Sequence, residues 1–212
     1  MVDKRVKPEY NIPMIRRNTM KENIILVDCD GVLCDWEYSF SQWMHHQDIP
    51  TMDQSEYDIA KRFHLEKGIA KRLVRQFNES AAIAFLPPLR DAVYYMKRLN
   101  MLHGYRFHCI TSLSSNKYAQ RLRYQNLDLL FGRELWDEVI CLPCGADKDD
   151  ALEPYRDTGC FWIEDKVANA ELGVEMGLNS ILVAHTHNAS FTGVIPRFHR
   201  WKEIYKHITG EV

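Results

Sequence analysis

The stretch Asp28-Cys29-Asp30-Gly31 follows directly on the apolar run Ile24-Ile25-Leu26-Val27. Two carboxylates one residue apart could share a cation, attack an electrophile or pass a proton, and the glycine behind them allows a sharp turn. A short continuous apolar run reads as a strand buried on both faces. Open α/β sheets place their ligands beyond the carboxyl ends of such strands. On these grounds Asp28 and Asp30 are candidates for the nucleophile and the proton-transfer group of a metal-dependent phosphatase. Two acids beside a glycine also make an ordinary turn. A calcium loop of the EF-hand type would need its glycine sixth and an acid twelfth. Counted from Asp28, the glycine is fourth and the twelfth residue is Ser39, which rules that loop out.

Other polar groups fall where further apolar runs end. Tyr105 to Ile110 is β-like and stops at Thr111-Ser112. Val139 to Leu142 leads to Gly145-Ala146-Asp147-Lys148, and Cys160 to Ile163 ends in Glu164-Asp165-Lys166. Ser180 to Ala184 is a fifth strand. Between them lie helical patterns: Val93, Met96 and Leu99 behind an opening Pro87-Pro88; Tyr118, Leu122 and Leu129, closed near Gly132; Val167 to Met176, stopped at Gly177; and Trp201 to Ile208. Strands alternating with helices imply a parallel sheet with helices on both faces. All the strand ends then lie along one edge, where residues distant in sequence converge.

The segment after the first strand differs. Trp36, Phe40, Trp43 and Met44 share one helical face, and further helical spacing links Ile59 with Phe63 and then Ile69, Leu73 and Phe77. Residues 36–83 therefore read as a small helical insert. The expected organisation is an arm over 1–23, a core over 24–35 and 84–212, and a cap over 36–83.

The ordered set Asp28-Cys29-Asp30-Gly31, Thr111-Ser112, Lys148 and Glu164-Asp165 resembles the four motifs of the haloacid dehalogenase (HAD) superfamily of phosphotransferases, over essentially all of residues 24–208. The insert is similar to that superfamily's small helical cap. More narrowly, Asp28 to Glu37, Leu86 to Met96, Ile110-Thr111-Ser112, Asp147-Lys148 and Ile163 to Lys166 resemble the 5'(3')-deoxyribonucleotidase family and its bacterial and phage relatives. His187-Asn188 and Trp201 to Ile204 add to the likeness. The implied fold is a HAD-like, three-layer, Rossmann-type parallel α/β sheet carrying a cap after its first strand.

The resemblance implies a magnesium-dependent 5'-nucleotidase acting on (deoxy)ribonucleoside monophosphates. A divalent cation would relieve the repulsion between carboxylates and a phosphate monoester, and magnesium prefers oxygen ligands. On the family pattern Asp28, Asp165 and the backbone carbonyl of Asp30 hold the metal. Asp28 forms an aspartyl-phosphate, and Asp30 protonates the leaving oxygen and then accepts a proton from water. Thr111, Ser112 and Lys148 bind the phosphoryl group, and Trp36 stacks on the base, with Tyr57 and Phe63 as further aromatic candidates. The resembling nucleotidases carry two aspartates where this chain has Glu164-Asp165. Glu164 is expected behind the metal, and which of the two acids binds it stays open. The segment after Ser112 is also shorter than in the mammalian members. Alternatives are a HAD phosphatase for another small ester or a nucleic-acid 3'-phosphate, and a HAD-fold binding protein without catalysis.

Composition narrows the field further. The chain has 212 residues and a net charge of −2, which argues against a general nucleic-acid binder. No run approaches the ~18 apolar residues of a membrane span, so no membrane partner is expected. The dinucleotide G-x-G-x-x-G fingerprint and the Walker A pattern are both absent. The basic N-terminal arm lacks an apolar signal core and reads as a surface segment, solvated or engaged in homodimer formation. Six cysteines lying mostly in apolar runs fit buried free thiols in a reducing, cytoplasmic setting. Cys141 and Cys144 have zinc-knuckle spacing without a second pair, and His185 and His187 read as loop residues.

Overall fold

The computed structural model describes residues 23–54 and 56–211. The expected arm over 1–23, and its part in a dimer, lie outside them except for Asn23. Six strands form one sheet: β1 (Ile24–Val27), β2 (Arg106–Ser112), β3 (Trp136–Leu142), β4 (Phe161–Glu164), β5 (Asn179–Val183) and β6 (Arg197–Phe198). Among the described residues eight α-helices accompany them: α1 (Trp36–His45), α2 (Ile59–Arg62), α3 (Lys67–Asn78), α4 (Ala92–His103), α5 (Lys117–Phe131), α6 (Asp149–Leu152), α7 (Val167–Glu175) and α8 (Trp201–Thr209).

Every strand pairing is parallel, in the order β3-β2-β1-β4-β5-β6. The chain steps outward from β1 to β3 and then returns to the far side of β1. The switch point, where this topology opens a crevice, lies between the carboxyl ends of β1 and β4. Val27 pairs with Cys109 on one side and with Ile163 on the other. Asp28 and Glu164 are therefore held next to each other by register.

The side-chain period of two sorts β1 between two cores. Ile25 and Val27 face one with Met96, Leu99, Leu127, Phe131, Trp201 and Ile204, from α4, α5 and α8. Leu26 faces the other with Ile110, Leu152, Tyr155, Trp162 and Met176. These are the three expected layers, and the chain has the α/β architecture anticipated from its alternation of strands and helices.

α1, α2 and α3 fill the insert, followed by a 3₁₀ turn over Ala81–Phe85. Asp35 caps α1 by accepting from Tyr38 N, and Asp58 caps α2 by accepting from Ala60 N. Their centre is aromatic. Phe40 stacks on Trp36 at 4.7 Å and meets Phe63 and Phe77 edge-on at 5.7 and 5.3 Å. The two passages of chain joining insert and sheet pair with one another, Asp35 N to Pro87 O at 2.9 Å and Leu89 N to Leu33 O at 2.7 Å.

That pairing corrects one expectation. Pro87-Pro88 opens no helix, because the crossing uses its backbone in extended form, and proline pushes its predecessor out of the helical region. α4 begins only at Ala92. A second correction concerns α5. Tyr118 and Leu129 are exposed at 58% and 66%, so they do not mark its inner face. The buried positions are Ala119, Leu122, Arg123, Asn126, Leu127 and Phe131. Arg123 and Asn126 interrupt the apolar pattern, which is why the sequence points to the wrong side.

Candidate active site

The Asp28 carboxylate lies just past β1 and 8% exposed, its backbone N–H bonded to Ile163 O at 2.9 Å. Lys148, before α6, is buried with its ammonium 2.9 Å from Asp28 Oδ1 and 2.7 Å from Glu164 Oε1. The Trp162 ring lies 4.9 Å beneath that ammonium. Carboxylate oxygens of Asp28, Glu164 and Asp165 lie within 4.8 Å of one another. Residues spread from 28 to 165 thus meet at the switch point.

Glu164 is fully engaged. Its Oε1 accepts from Lys148 and from Asn169 Nδ2 at 2.6 Å, and its Oε2 accepts from the backbone N–H groups of Asp165 and Lys166 at 2.7 and 2.8 Å. Those bonds and the Lys148 charge hold its carboxyl below the usual range against a large opposing burial effect. Burial, with the charges of Glu164 and Asp30, pushes Asp28 up to about 7 despite Lys148. Burial and the charges of Glu164 and Asp28 likewise push Asp165 well up. With all three carboxylates ionised, the one ammonium would leave two negative charges, the amount a divalent cation carries. Asp28 and Asp165 retain oxygen lone pairs toward the crevice, and among the described residues no donor reaches the Asp30 carbonyl oxygen. This all-oxygen donor set fits magnesium.

Asp30 is held by Arg123, a residue that the sequence patterns do not single out. Arg123 is completely buried on α5 and forms a fork on Asp30, Nη1 to Oδ1 at 2.7 Å and Nη2 to Oδ2 at 2.9 Å. It also touches Cys29 Sγ. Burial pushes the Asp30 carboxyl up to about 6, with Arg123 opposing. Thr111 is fully buried where β2 ends, and its Oγ1 has no hydrogen-bond partner among the described residues. Ser112 Oγ donates to Ala146 O at 3.1 Å.

Gly31 has φ +78°, and a Cβ there would lie 2.4 Å from Asp165 Oδ2. Only glycine satisfies both the turn and this approach. His185 Nε2 donates to Gly31 O at 2.6 Å, and His187 Nε2 donates to Asp165 O at 3.0 Å. Burial pushes both imidazoles down. His185 is a loop residue, as expected, whereas His187 lies in a 3₁₀ turn over Thr186–Asn188, and the two brace the two sides of the crevice.

Trp36 lines the cleft with one ring face on Phe40, and its Nε1 donates to Asn78 Oδ1 at 2.9 Å. Tyr57 lines it against His187 at 4.5 Å. Phe63 does not reach it, being 3% exposed within the aromatic cluster. All six cysteines are free, four of them in buried positions. No described helix is long and apolar enough to cross a membrane.

No family model matches the chain. An uncharacterized 32.4 kDa protein from the Gp30-rIII intergenic region of Enterobacteria phage T4 is 27% identical over 124 residues, which are 55% of this chain and 44% of the phage protein. The chain thus spans less than half the length of that relative. Among solved structures, a haloacid dehalogenase-like family hydrolase from Streptococcus pneumoniae superposes with TM-score 0.62 at 15% identity, covering 88% of this chain and 98% of that one. A predicted phosphatase from Clostridium acetobutylicum gives TM-score 0.61 at 16% identity over 89% and 98%. A HAD-hydrolase from Bacillus subtilis bound to magnesium gives 0.56 at 12% over 88% and 97%. The fold is therefore HAD-like.

Proposed function

We propose that this chain is a magnesium-dependent phosphomonoester hydrolase acting on nucleoside monophosphates, a 5'-nucleotidase. The observation that carries the reading is the meeting of Asp28, Asp165 and Lys148 in one crevice, where three carboxyl groups face one ammonium. The hydrolases sharing the fold, one of them bound to magnesium, support it.

Asp28, Asp165 and the Asp30 carbonyl would hold the magnesium, which withdraws charge from the phosphoryl oxygens when bound. Asp28 attacks phosphorus, the bond to the ester oxygen breaks, and Asp30 delivers a proton to that oxygen. Asp30 then takes a proton from the water that cleaves the aspartyl-phosphate. Thr111 Oγ1 donates to a phosphoryl oxygen, which gives the orphaned hydroxyl a partner. Lys148 neutralises charge on the transferring group, and Glu164 fixes Lys148. Ser112 positions the loop at Ala146 by its hydrogen bond. Trp36 offers the ring face away from Phe40 to the base.

Phosphate release from a panel of monophosphates, with magnesium and with a chelator, tests the reading. Magnesium-dependent release from nucleotides ahead of sugar phosphates is the expected result. No release from any nucleotide would overturn it.

A further inference from the structure

Helix α3 presents Lys67, Lys71 and Arg75 four residues apart on one face, with Arg72 beside them, and all four line the cleft that holds Asp28. The row is ~12 Å long at 1.5 Å per residue. Like charges at this spacing destabilise a helix. Lys67 also sits in the first turn, where the helix dipole disfavours a cation. That turn contains no acid, and Glu66 makes no capping bond.

All four side chains are exposed to solvent, and no described acid offsets these costs. Among the described residues none of the four cations has an acidic partner within ion-pair distance. The other acids of the cleft are engaged: Glu37 with Arg62 at 2.8 Å, and Asp35 and Asp58 as helix caps. Asp28, Asp30 and Asp165 serve the crevice floor. The cleft, about 1120 Å³, also exceeds the usual range for small-ligand pockets.

We infer that Lys67, Lys71, Arg72 and Arg75 form a subsite for a second phosphate group, carried on the leaving half of the substrate. A nucleoside leaving group is neutral and gives four clustered cations nothing to bind. A nucleotide bearing a further phosphate or phosphodiester places negative charge along their row. This deepens the phosphatase reading and rests on it. The second phosphate takes no part in bond breaking: the P–O bond at the first phosphate breaks, the phosphoryl group passes to Asp28 and then to water, and the second phosphate departs on the product alcohol.

The test compares thymidine 5'-monophosphate, thymidine 3',5'-bisphosphate and 5'-phosphorylated trithymidylate, with products separated by chromatography. The proteins are the wild type and a triple variant (K67Q, K71Q, R75Q) whose fold is checked by circular dichroism. The wild type is expected to favour at least one two-phosphate probe by about tenfold or more in kcat/KM, through KM. The triple variant brings that ratio to within about twofold. For the trinucleotide, raising salt from about 50 to about 200 mM erodes the preference, and the variant's salt slope is shallower by about one for each phosphate that its side chains no longer neutralise. Preference for the bisphosphate identifies a small metabolite as the source of the second phosphate; preference for the trinucleotide identifies a strand end. Equal kcat/KM on all probes, or a preference that survives the triple change, overturns the subsite. Equilibrium binding to D28N, with and without the triple change, separates the two levels of the reading. If no probe is hydrolysed, the phosphatase reading fails. Tighter two-phosphate binding that the triple change abolishes still upholds the subsite, and equal binding overturns it.

Discussion

Asp28 and Asp30 sit two residues apart, and burial pushes both carboxyls up against a different cation. Asp28 shares Lys148 with Glu164, whereas Asp30 is the one carboxylate among the described residues on the Arg123 fork. In the proposed reaction the first attacks and the second moves a proton. D28N is expected to lower phosphate release at least about 10⁴-fold while leaving the fold intact. Arg123 positions Asp30, and R123K keeps the charge but loses the fork. For R123K, kcat on a nucleotide should fall about tenfold to a hundredfold. The loss on 2,4-dinitrophenyl phosphate, whose leaving oxygen needs no proton, should be much smaller. Removing the cation altogether, as in R123L, favours neutral Asp30 and should move the alkaline limb of the pH profile upward. At pH values where Asp30 stays ionised, its carboxylate is left without a partner, at about 3–5 kcal/mol. A pH-rate study of R123K and R123L on both substrates checks these outcomes.

At the scale of elements, the insert is joined to the core by side chains as well as by backbone. Asn78 ends α3, accepts from Trp36 Nε1 at 2.9 Å and donates to Leu113 O at 3.2 Å. N78A should therefore raise KM more than it lowers kcat and cost about 1–3 kcal/mol, read by steady-state kinetics and urea melts. The apolar strands and the aromatic helix α1 are legible in the sequence because periodicity reports burial directly. The inner face of α5 is not, because it carries two buried polar residues, Arg123 on Asp30 and Asn126 donating to Ala84 O and Leu86 O. The signal is the spacing of positions 119, 122, 123, 126 and 127, a helical stripe once polarity is ignored. β6, two residues long, leaves no periodic trace.

For the molecule as a whole, the site is a concentration of like charge that the fold tolerates. Folded-state Asp28 titrates at about 7, above the ordinary value of 3.8, so the folded form takes up a proton first as pH falls. The metal-free protein should gain stability as pH drops through about 7, and the gain is complete only below the unfolded value. Magnesium should raise Tm at about pH 8, stabilising the fold by about 2.7 kcal/mol at a hundred times its Kd, and by less at about pH 5.5, where protons compete. Thermal melts at both pH values, with and without the ion, measure this. The net charge of −2 conceals an uneven distribution: acids on the crevice floor, cations on α3. That unevenness is not legible in the sequence, since only folding brings the α3 row and the acids to one cleft.

The phosphoryl acceptor itself can be observed. Acid-quenched mixtures of the protein, magnesium and a nucleotide substrate, digested and analysed by tandem mass spectrometry, should show a phosphoryl adduct on the peptide containing Asp28. The adduct should be absent with a chelator and in D28N. Rapid phosphate release with no adduct on that peptide, or undiminished turnover by D28N, would contradict Asp28 as the nucleophile.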